Sequence, residues 1–301
     1  MFVLAHLSDP HLAPLPMPHG FELASKRLLG FINWQHKRRS VHRTDMLERI
    51  VDDLKRQAPD HIAVTGDLVN IALPREFANA RAWLERLGPP HDVTLVPGNH
   101  DAYVASARHE PAEHWGDYMR GDASSSAENP IAFPFVRRRG PVALIGVSTA
   151  VATAPLMATG WLGTAQIARL AAILAQLEQE GLFRILLIHH PPAGHRAAHK
   201  RLTDAEALAK VLKIRGAELV LHGHDHLASL NWIEGPREPI AAFGVPSASA
   251  SSNGEHTPAA YNLYRIERGA SGAWHCEMVS RGYAAGSTIV LELGRQTLSM
   301  H

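Results

Sequence analysis

Short apolar runs alternate along this chain with longer stretches whose apolar positions recur every three to four residues. Residues 2–5 predict a strand. Across 44–57, Leu47, Ile50, Val51 and Leu54 fall at i, i+3, i+4 and i+7, which predicts an amphipathic helix with Thr44 as its N-cap. A strand over 62–65 follows. Phe77, Ala80, Leu84 and Leu87 predict a second helix, begun at Pro74 and stopped by Gly88-Pro89-Pro90. Strands are expected at 93–96 and 142–145. Ile167, Leu170, Ala171, Leu174 and Leu177 share one face of a helix over 164–180 that ends at Gly181. A strand over 184–188 comes next, then a helix that Thr203 and Glu206 open as a capping box, then a strand over 218–221. After about residue 230 the helical period vanishes. Gly, Ser and Pro punctuate short apolar runs at 261–266 and 288–293, which predict antiparallel hairpins.

Two stretches break this alternation, 14–43 and 103–139. Loops of that length inside a compact domain are usually functional or mobile. The second contains Ser124-Ser125-Ser126, and Arg137-Arg138-Arg139 near its end reads as a solvated turn. Residues 28–39 join the apolar Leu28, Leu29, Phe31, Ile32 and Trp34 to Lys37-Arg38-Arg39. Internal packing is the favoured reading of that segment. An amphipathic cover over a site, or peripheral contact with a membrane surface, is the other. The alternation resumes after each insertion, so residues 1–301 are expected to form one domain with a β-rich part from about 230.

Composition narrows the class. With 46% hydrophobic and 20% charged residues the chain is ordinary globular material. A net charge of +1 gives no electrostatic case for a dedicated nucleic-acid-binding protein, and no nucleic-acid partner is expected. The lone Cys276 excludes an internal disulfide and a thiolate metal cluster, is read as chemically inert, and favours a reducing, cytoplasmic setting. No apolar run approaches the roughly 18–20 residues of a membrane helix, and the opening residues lack the basic region of a signal peptide. Twenty histidines, however, are several times the ordinary share.

Their positions matter more than their number. The first predicted strand runs into Asp9-Pro10-His11, the second into Gly66-Asp67, and the third into Gly98-Asn99-His100-Asp101. Later strands run into His189-His190 and into His222-Gly223-His224-Asp225-His226. In α/β sheets, sites form at the carboxyl ends of strands. Five such ends imply one shared site. Asp9/His11 and His224/His226 stand two residues apart, a spacing that puts both side chains on one side of an extended segment. Carboxylate, amide and imidazole together suit Zn, Fe, Mn, Co or Ni rather than Ca. The candidates exceed the four to six ligands of one ion, whereas two ions sharing a carboxylate use them all. His190, His195 and His199 read as ordinary loop residues, with substrate contact as the alternative. His222 and Asp225 are read as pointing away, with supporting roles left open.

Asp-x-His, Gly-Asp, Gly-Asn-His-Asp, a lone His and Gly-His-x-His, in that order from Asp9 to His226, resemble the calcineurin-like metallophosphoesterases. The Gly-Asn-His-Asp and Gly-His-x-His forms most resemble the bacterial class III cyclic nucleotide phosphodiesterases and related glycerophosphodiesterases. The resemblance implies an α/β fold, a four-layer αββα sandwich of two mixed sheets with a dinuclear metal site at strand C-terminal ends. It implies Asp9, His11 and His226 on one metal, Asn99, His189 and His224 on the other, and Asp67 between them. The ions would be divalent or mixed-valence Mn, Fe or Zn. His100 would sit over the substrate phosphate, and Asp101 would orient a neighbour. One departure is Asn70, at a position where many members carry an acid bonded to the catalytic histidine; an amide cannot favour a charged imidazole as a carboxylate does.

The implied activity is phosphoester hydrolysis by a metal-bridging hydroxide, with a small-molecule phosphodiester as the leading substrate class. A lipid-linked nucleotide pyrophosphatase of the UDP-diacylglucosamine hydrolase type and a phosphomonoesterase are the alternatives, the former kept open by the apolar 28–39 segment. A non-catalytic scaffold is disfavoured because every ligand position is filled. Pairing between chains through the C-terminal hairpins is left open.

Overall fold

The computed structural model describes residues 1–122, 131–194, 196–253 and 256–300, so Ser124-Ser125-Ser126 and His195 lie outside the described residues. In chain order the first strands are β1 (Phe2–Leu7), β2 (His61–Val64), β3 (Val93–Leu95), β4 (Phe135–Arg139), β5 (Val142–Gly146) and β6 (Phe183–Leu187). They are followed by β7 (Leu219–His222), β8 (Ser229–Ile233), β9 (Ile240–Gly244), β10 (Ala260–Arg268), β11 (Trp274–Gly282) and β12 (Leu291–Met300). One six-stranded sheet has the order β12-β11-β10-β1-β2-β3 and the other β4-β5-β6-β7-β9-β8. Both are mixed. β1, β2 and β3 run parallel, while β1, β10, β11 and β12 pair antiparallel. β5, β6, β7 and β9 run parallel between antiparallel β4 and β8.

The parallel strands β5, β6, β7 and β9 are buried at every residue, as strands covered on both faces must be. Alternation decides which face each side chain joins. Val142 and Leu144 enter the apolar cluster shared with the first sheet. Ala143 and Ile145 enter a second cluster with Leu170 and Leu174 of helix Thr164–Gln179 and Leu208 and Leu212 of helix Ala205–Arg215. Ring contacts across the two sheets, Phe243 to Tyr264 and Phe183 to Trp274, show the face-to-face packing. Helices Thr44–Arg56 and Pro74–Leu87 bring Leu47, Ile50, Leu54, Phe77 and Leu84 to the first sheet, each worth roughly 1.5–3 kcal/mol on burial. The result is the expected four-layer α/β sandwich of two mixed sheets.

Several local expectations need correction. Arg43, not Thr44, is the N-cap of the first long helix, because the Thr44 hydroxyl is committed to the Ala13 carbonyl (2.8 Å). The Thr203–Glu206 capping box does not form. Thr203 donates to the Gly160 carbonyl (2.9 Å), and the Asp204 carboxylate accepts from the Leu162 and Gly163 amides instead. Arg137-Arg138-Arg139 is not a solvated turn but the end of β4. Arg137 is buried and donates to the carbonyls of Arg120, Pro90, Val93 and Asp117, while Arg138 pairs with Glu180 and Arg139 with Asp122. A charge run conceals a strand when its arginines find acceptors. Beyond residue 230 the antiparallel pairs β8–β9, β10–β11 and β11–β12 are present, but β9 also lies parallel to β7 and completes the second sheet. Cys276 is buried in the core, and burial pushes its thiol up to about 12.

Candidate metal centre

The carboxyl ends of β1, β2, β3, β6 and β7 meet at one edge of the sandwich. A backbone bridge between Ser8 and Ser247 ties the loop after β1 to the loop after β9, and Ser247 donates to the Asp9 carbonyl (2.6 Å). The chain reaches this convergence under strain. Asp9, His11, Asp67, His224 and His226 all adopt positive φ, a region non-glycine residues avoid. Glycines permit the close approach. A Cβ at Gly98 would strike the Asp67 carboxylate and the His189 ring, and one at Gly223 would strike Ser8 and Asp9.

All seven expected ligands come together here, and their hydrogen bonds assign the free lone pairs. His11 Nδ1 donates to the Val69 carbonyl (3.1 Å), so its Nε2 carries the free lone pair. That atom lies 3.2 Å from His226 Nε2, 3.8 Å from Asp67 Oδ2 and 4.0 Å from Asp9 Oδ1. Asp9 Oδ1 is buried without a hydrogen-bond donor and stands 3.2 Å from His226 Nε2. On the other side, His189 Nδ1 donates to the Thr65 carbonyl (2.6 Å), leaving Nε2 3.5 Å from Asp67 Oδ2 and 3.1 Å from Asn99 Oδ1. His224 Nε2 donates to the Lys200 carbonyl (2.9 Å), leaving Nδ1 2.9 Å from Asn99 Oδ1. Acceptors thus face acceptors at close range on both sides of Asp67. A metal cation satisfies such an arrangement, so the residues fit metal binding.

The charges agree. Burial opposes ionisation of Asp67, but His189 and His100 outweigh it and hold the carboxyl well below its usual range. Burial likewise opposes a charge on His189, yet the Asp67 carboxylate raises the ring to about 10. A proton or a metal cation at His189 Nε2 answers the same negative charge.

Asp101 is buried and faces backbone. Its carboxylate accepts from the amides of Asp67 (2.8 Å), Leu68 (2.9 Å), Val69 (3.2 Å) and Gly98 (2.8 Å), and so clamps the β2 and β3 loops together. Burial, followed by the charge of Asp67, pushes it up to about 7. His100 borders the cleft, its amide donating to Asp67 Oδ1 (2.7 Å). Its Nδ1 donates to the backbone carbonyl of Asn70, while the Asn70 side chain turns away to the Leu12 carbonyl (3.0 Å). A main-chain oxygen of Asn70 therefore takes the place beside His100 that an acid takes in many members of the family. Glu76 fixes that loop by accepting from the amides of Asn70, Ile71 and Leu73. Burial and the nearby Arg38 push His100 down to about 3.

Other side chains border the cluster besides the seven expected ligands. His190, read as a loop residue, is buried, is held by Thr149 Oγ1 (2.7 Å) and packs its ring 4.3 Å from His224. His42 is also buried, with its ring 4.5 Å from His11 and Nδ1 2.9 Å from Ser249 Oγ. Its imidazole groups with His11 and His226 closely enough to share a cation. Arg38 lines the cleft beside His100. His42 and Arg38 follow no strand, so the strand-end signal missed them; His190 stands at the end of β6, but its neighbour carried the motif. His199 is exposed, His222 is buried beneath the centre, and Asp225 pairs with Arg196. The cleft over the cluster measures about 740 Å³.

Two mixed sheets with an Asp/His cluster able to hold metal at their shared edge are the fold and site of a metallophosphoesterase. A family model described as calcineurin-like phosphoesterase matches residues 2–228, and the chain belongs to that family. It is 26% identical over 190 residues to glycerophosphodiester phosphodiesterase GpdQ of Enterobacter lignolyticus (strain SCF1), a match covering 63% of this chain and 57% of that relative. Among solved structures it resembles a dimetal phosphatase from Danio rerio (TM-score 0.61, 15% identity, 97% of this chain and 98% of that one). It also resembles purple acid phosphatase PPD1 from yellow lupin (TM-score 0.63, 13% identity, 99% of this chain and 53% of that one). At those identities the solved structures speak for the fold alone. Among the described residues no helix is long and apolar enough to cross a membrane.

Proposed function

We propose that this protein is a metal-dependent phosphodiesterase acting on small phosphodiesters. The observation that carries the reading is the pair of converging lone-pair sets on either side of Asp67, opening onto one cleft. In this reading Asp9, His11 and His226 hold one ion, Asn99, His189 and His224 hold the other, and Asp67 serves both. The metal pair, as Mn, Fe or Zn, supplies Lewis acidity and an activated water when bound. The protein's own groups do the rest. The carbonyls of Val69, Thr65 and Lys200 fix which nitrogen of His11, His189 and His224 faces the centre. Asp101 acts as a positioning residue by holding the backbone of Asp67 and Gly98. His100, anchored through Nδ1, presents Nε2 to the phosphate. An anionic substrate beside that ring favours its protonation, and Nε2–H then donates to the departing oxygen. The match to a glycerophosphodiester phosphodiesterase supports a diester over a monoester.

The test is kcat/KM of the Mn²⁺-reconstituted protein on bis(p-nitrophenyl) phosphate and p-nitrophenyl phosphate. A preference for the diester is expected. A preference for the monoester overturns the reading in favour of a phosphatase. Turnover of neither overturns it in favour of a lipid-linked nucleotide pyrophosphatase, the reading that the exposed Phe21, Leu28, Leu29 and Ile32 favour.

A further inference from the structure

The inserted segment does more than cover the cleft. Helix Arg27–Asn33 passes into a π-helical turn, Trp34–Arg38, and such turns recur at functional sites because the extra residue re-aims the side chains that follow. Here Lys37 and Arg39 face solvent while Arg38 is half-buried and lines the cleft with Asp67, Asn99 and His100. The segment is fixed at both ends. Lys26 donates to the Thr153 carbonyl (3.0 Å), and Arg27 donates to the Ile71 (3.1 Å) and Ala72 carbonyls. Gly30 packs directly on Ile71 and Tyr103, and the Tyr103 ring stacks on His100. Downstream, buried Trp34 stacks on His42, the Arg43 amide donates to the Ser249 carbonyl (2.8 Å), and the Ser251 amide donates to the Val41 carbonyl (2.8 Å).

A guanidinium carries five N–H donors in a planar fork and no acceptor. Other buried arginines of this protein fill that fork: Arg137 with four carbonyls, Arg184 with Glu218 and two carbonyls. Arg38 does not. Among the described residues its one polar neighbour within hydrogen-bond distance is His100 Nδ1 (3.3 Å), whose proton already goes to the Asn70 carbonyl. Two donors meet there, so among the described residues the Arg38 fork finds no carbonyl or carboxylate acceptor. Yet it stands in the cleft beside His100. A planar fork of N–H donors matches a bidentate oxyanion.

We propose that Arg38 is a substrate-binding residue of this centre: its guanidinium grips the phosphoryl oxygens beside His100. The assignment rests on phosphoester hydrolysis at this centre, and its test separates the two. Arg38→Ala, Arg38→Lys and, as a solvent-facing control, Arg39→Ala are compared with wild type after Mn²⁺ reconstitution. The readouts are kcat/KM on both nitrophenyl esters, metal content, and the Kd for inorganic phosphate by calorimetry. Arg38→Ala is expected to lower kcat/KM on the hydrolysed ester about 100-fold, as loss of one oxyanion donor typically does. It should weaken phosphate about tenfold and leave metal content unchanged. Added guanidinium should restore part of the rate to Arg38→Ala but not to Arg38→Lys, a rescue no purely structural role produces. Arg39→Ala should stay within twofold of wild type. The proposal is overturned if Arg38→Ala matches wild type within twofold in both turnover and phosphate Kd. It is equally overturned if activity falls only in step with lost metal and without guanidinium rescue. If wild type hydrolyses neither ester, the phosphodiesterase reading fails by itself, and the phosphate Kd of wild type against Arg38→Ala still decides the role of Arg38; no measurable phosphate binding by wild type overturns it.

Discussion

The floor of the cleft and its inserted wall are built in opposite ways. The floor is made of strand ends. Asp9, His11, Asp67 and His189 are buried, two of the histidines are tied to backbone carbonyls, and glycines allow the loops to touch. The wall is a helical segment resting on the sandwich, with Leu28, Leu29 and Ile32 about half exposed and Trp34 its one buried side chain between Arg27 and Val41. Internal packing therefore describes only part of the segment. The contrast teaches a division of work. In the proposed reading, ligands that must converge within a few ångströms are over-determined by sheets on two sides, whereas Arg38, which meets the substrate, is carried by an inserted segment.

The largest predicted effect attacks the floor. Asp67→Ala is expected to remove bound metal and lower kcat/KM by at least about 10³-fold, because two ligand sets lose their shared carboxylate. His100→Ala is expected to cost about 10²-fold while elemental analysis still finds full metal occupancy. Equal metal loss in both variants would collapse the separation between holding metal and meeting substrate.

Asp101→Ala probes the clamp beneath the floor. It leaves four amides without their acceptor and is expected to cost about 3 kcal/mol of stability, read as a shifted denaturant midpoint. An unshifted midpoint would show that the loops hold themselves. Gly30→Val probes the wall. Its side chain would overlap Ile71 and Tyr103, so the helix must shift. The expected result is a roughly tenfold loss in kcat/KM, about 1.4 kcal/mol, with unchanged metal content. Loss of metal would mean that wall and floor are one unit.

The smallest effect comes from pH. His6 and His61 are buried in the first sheet and held at about 3, in both cases by burial first, with His222 adding to it at His6 and Arg139 at His61. Unfolded, each takes up a proton near pH 6.5, before the folded ring does, so stability is full above that pH and falls as pH drops toward 3. Between pH 7 and 6 the loss is about 0.7 kcal/mol for each histidine. Melting curves at the two pH values check it, and an invariant Tm would clear the sheet histidines of this role.

Much of this molecule was written in the order of its residues. Alternating strands and amphipathic helices foretold the sandwich, because burial on two faces leaves runs such as 142–145 and 185–188 apolar throughout. Asp9, His11, Asp67, Asn99, His189, His224 and His226 were legible because each follows a strand, and parallel strands deliver their carboxyl ends to one edge. Tertiary packing decided the rest. It turned Arg137 into a buried strand residue by offering it carbonyls, put a main-chain oxygen of Asn70 against His100, and swung His42 and Arg38 out of an insertion into the site. Strand ends repeat a local pattern that the chain itself carries. The reach of a long side chain from a loop is set by what that loop packs against, and such contacts have no period along the sequence.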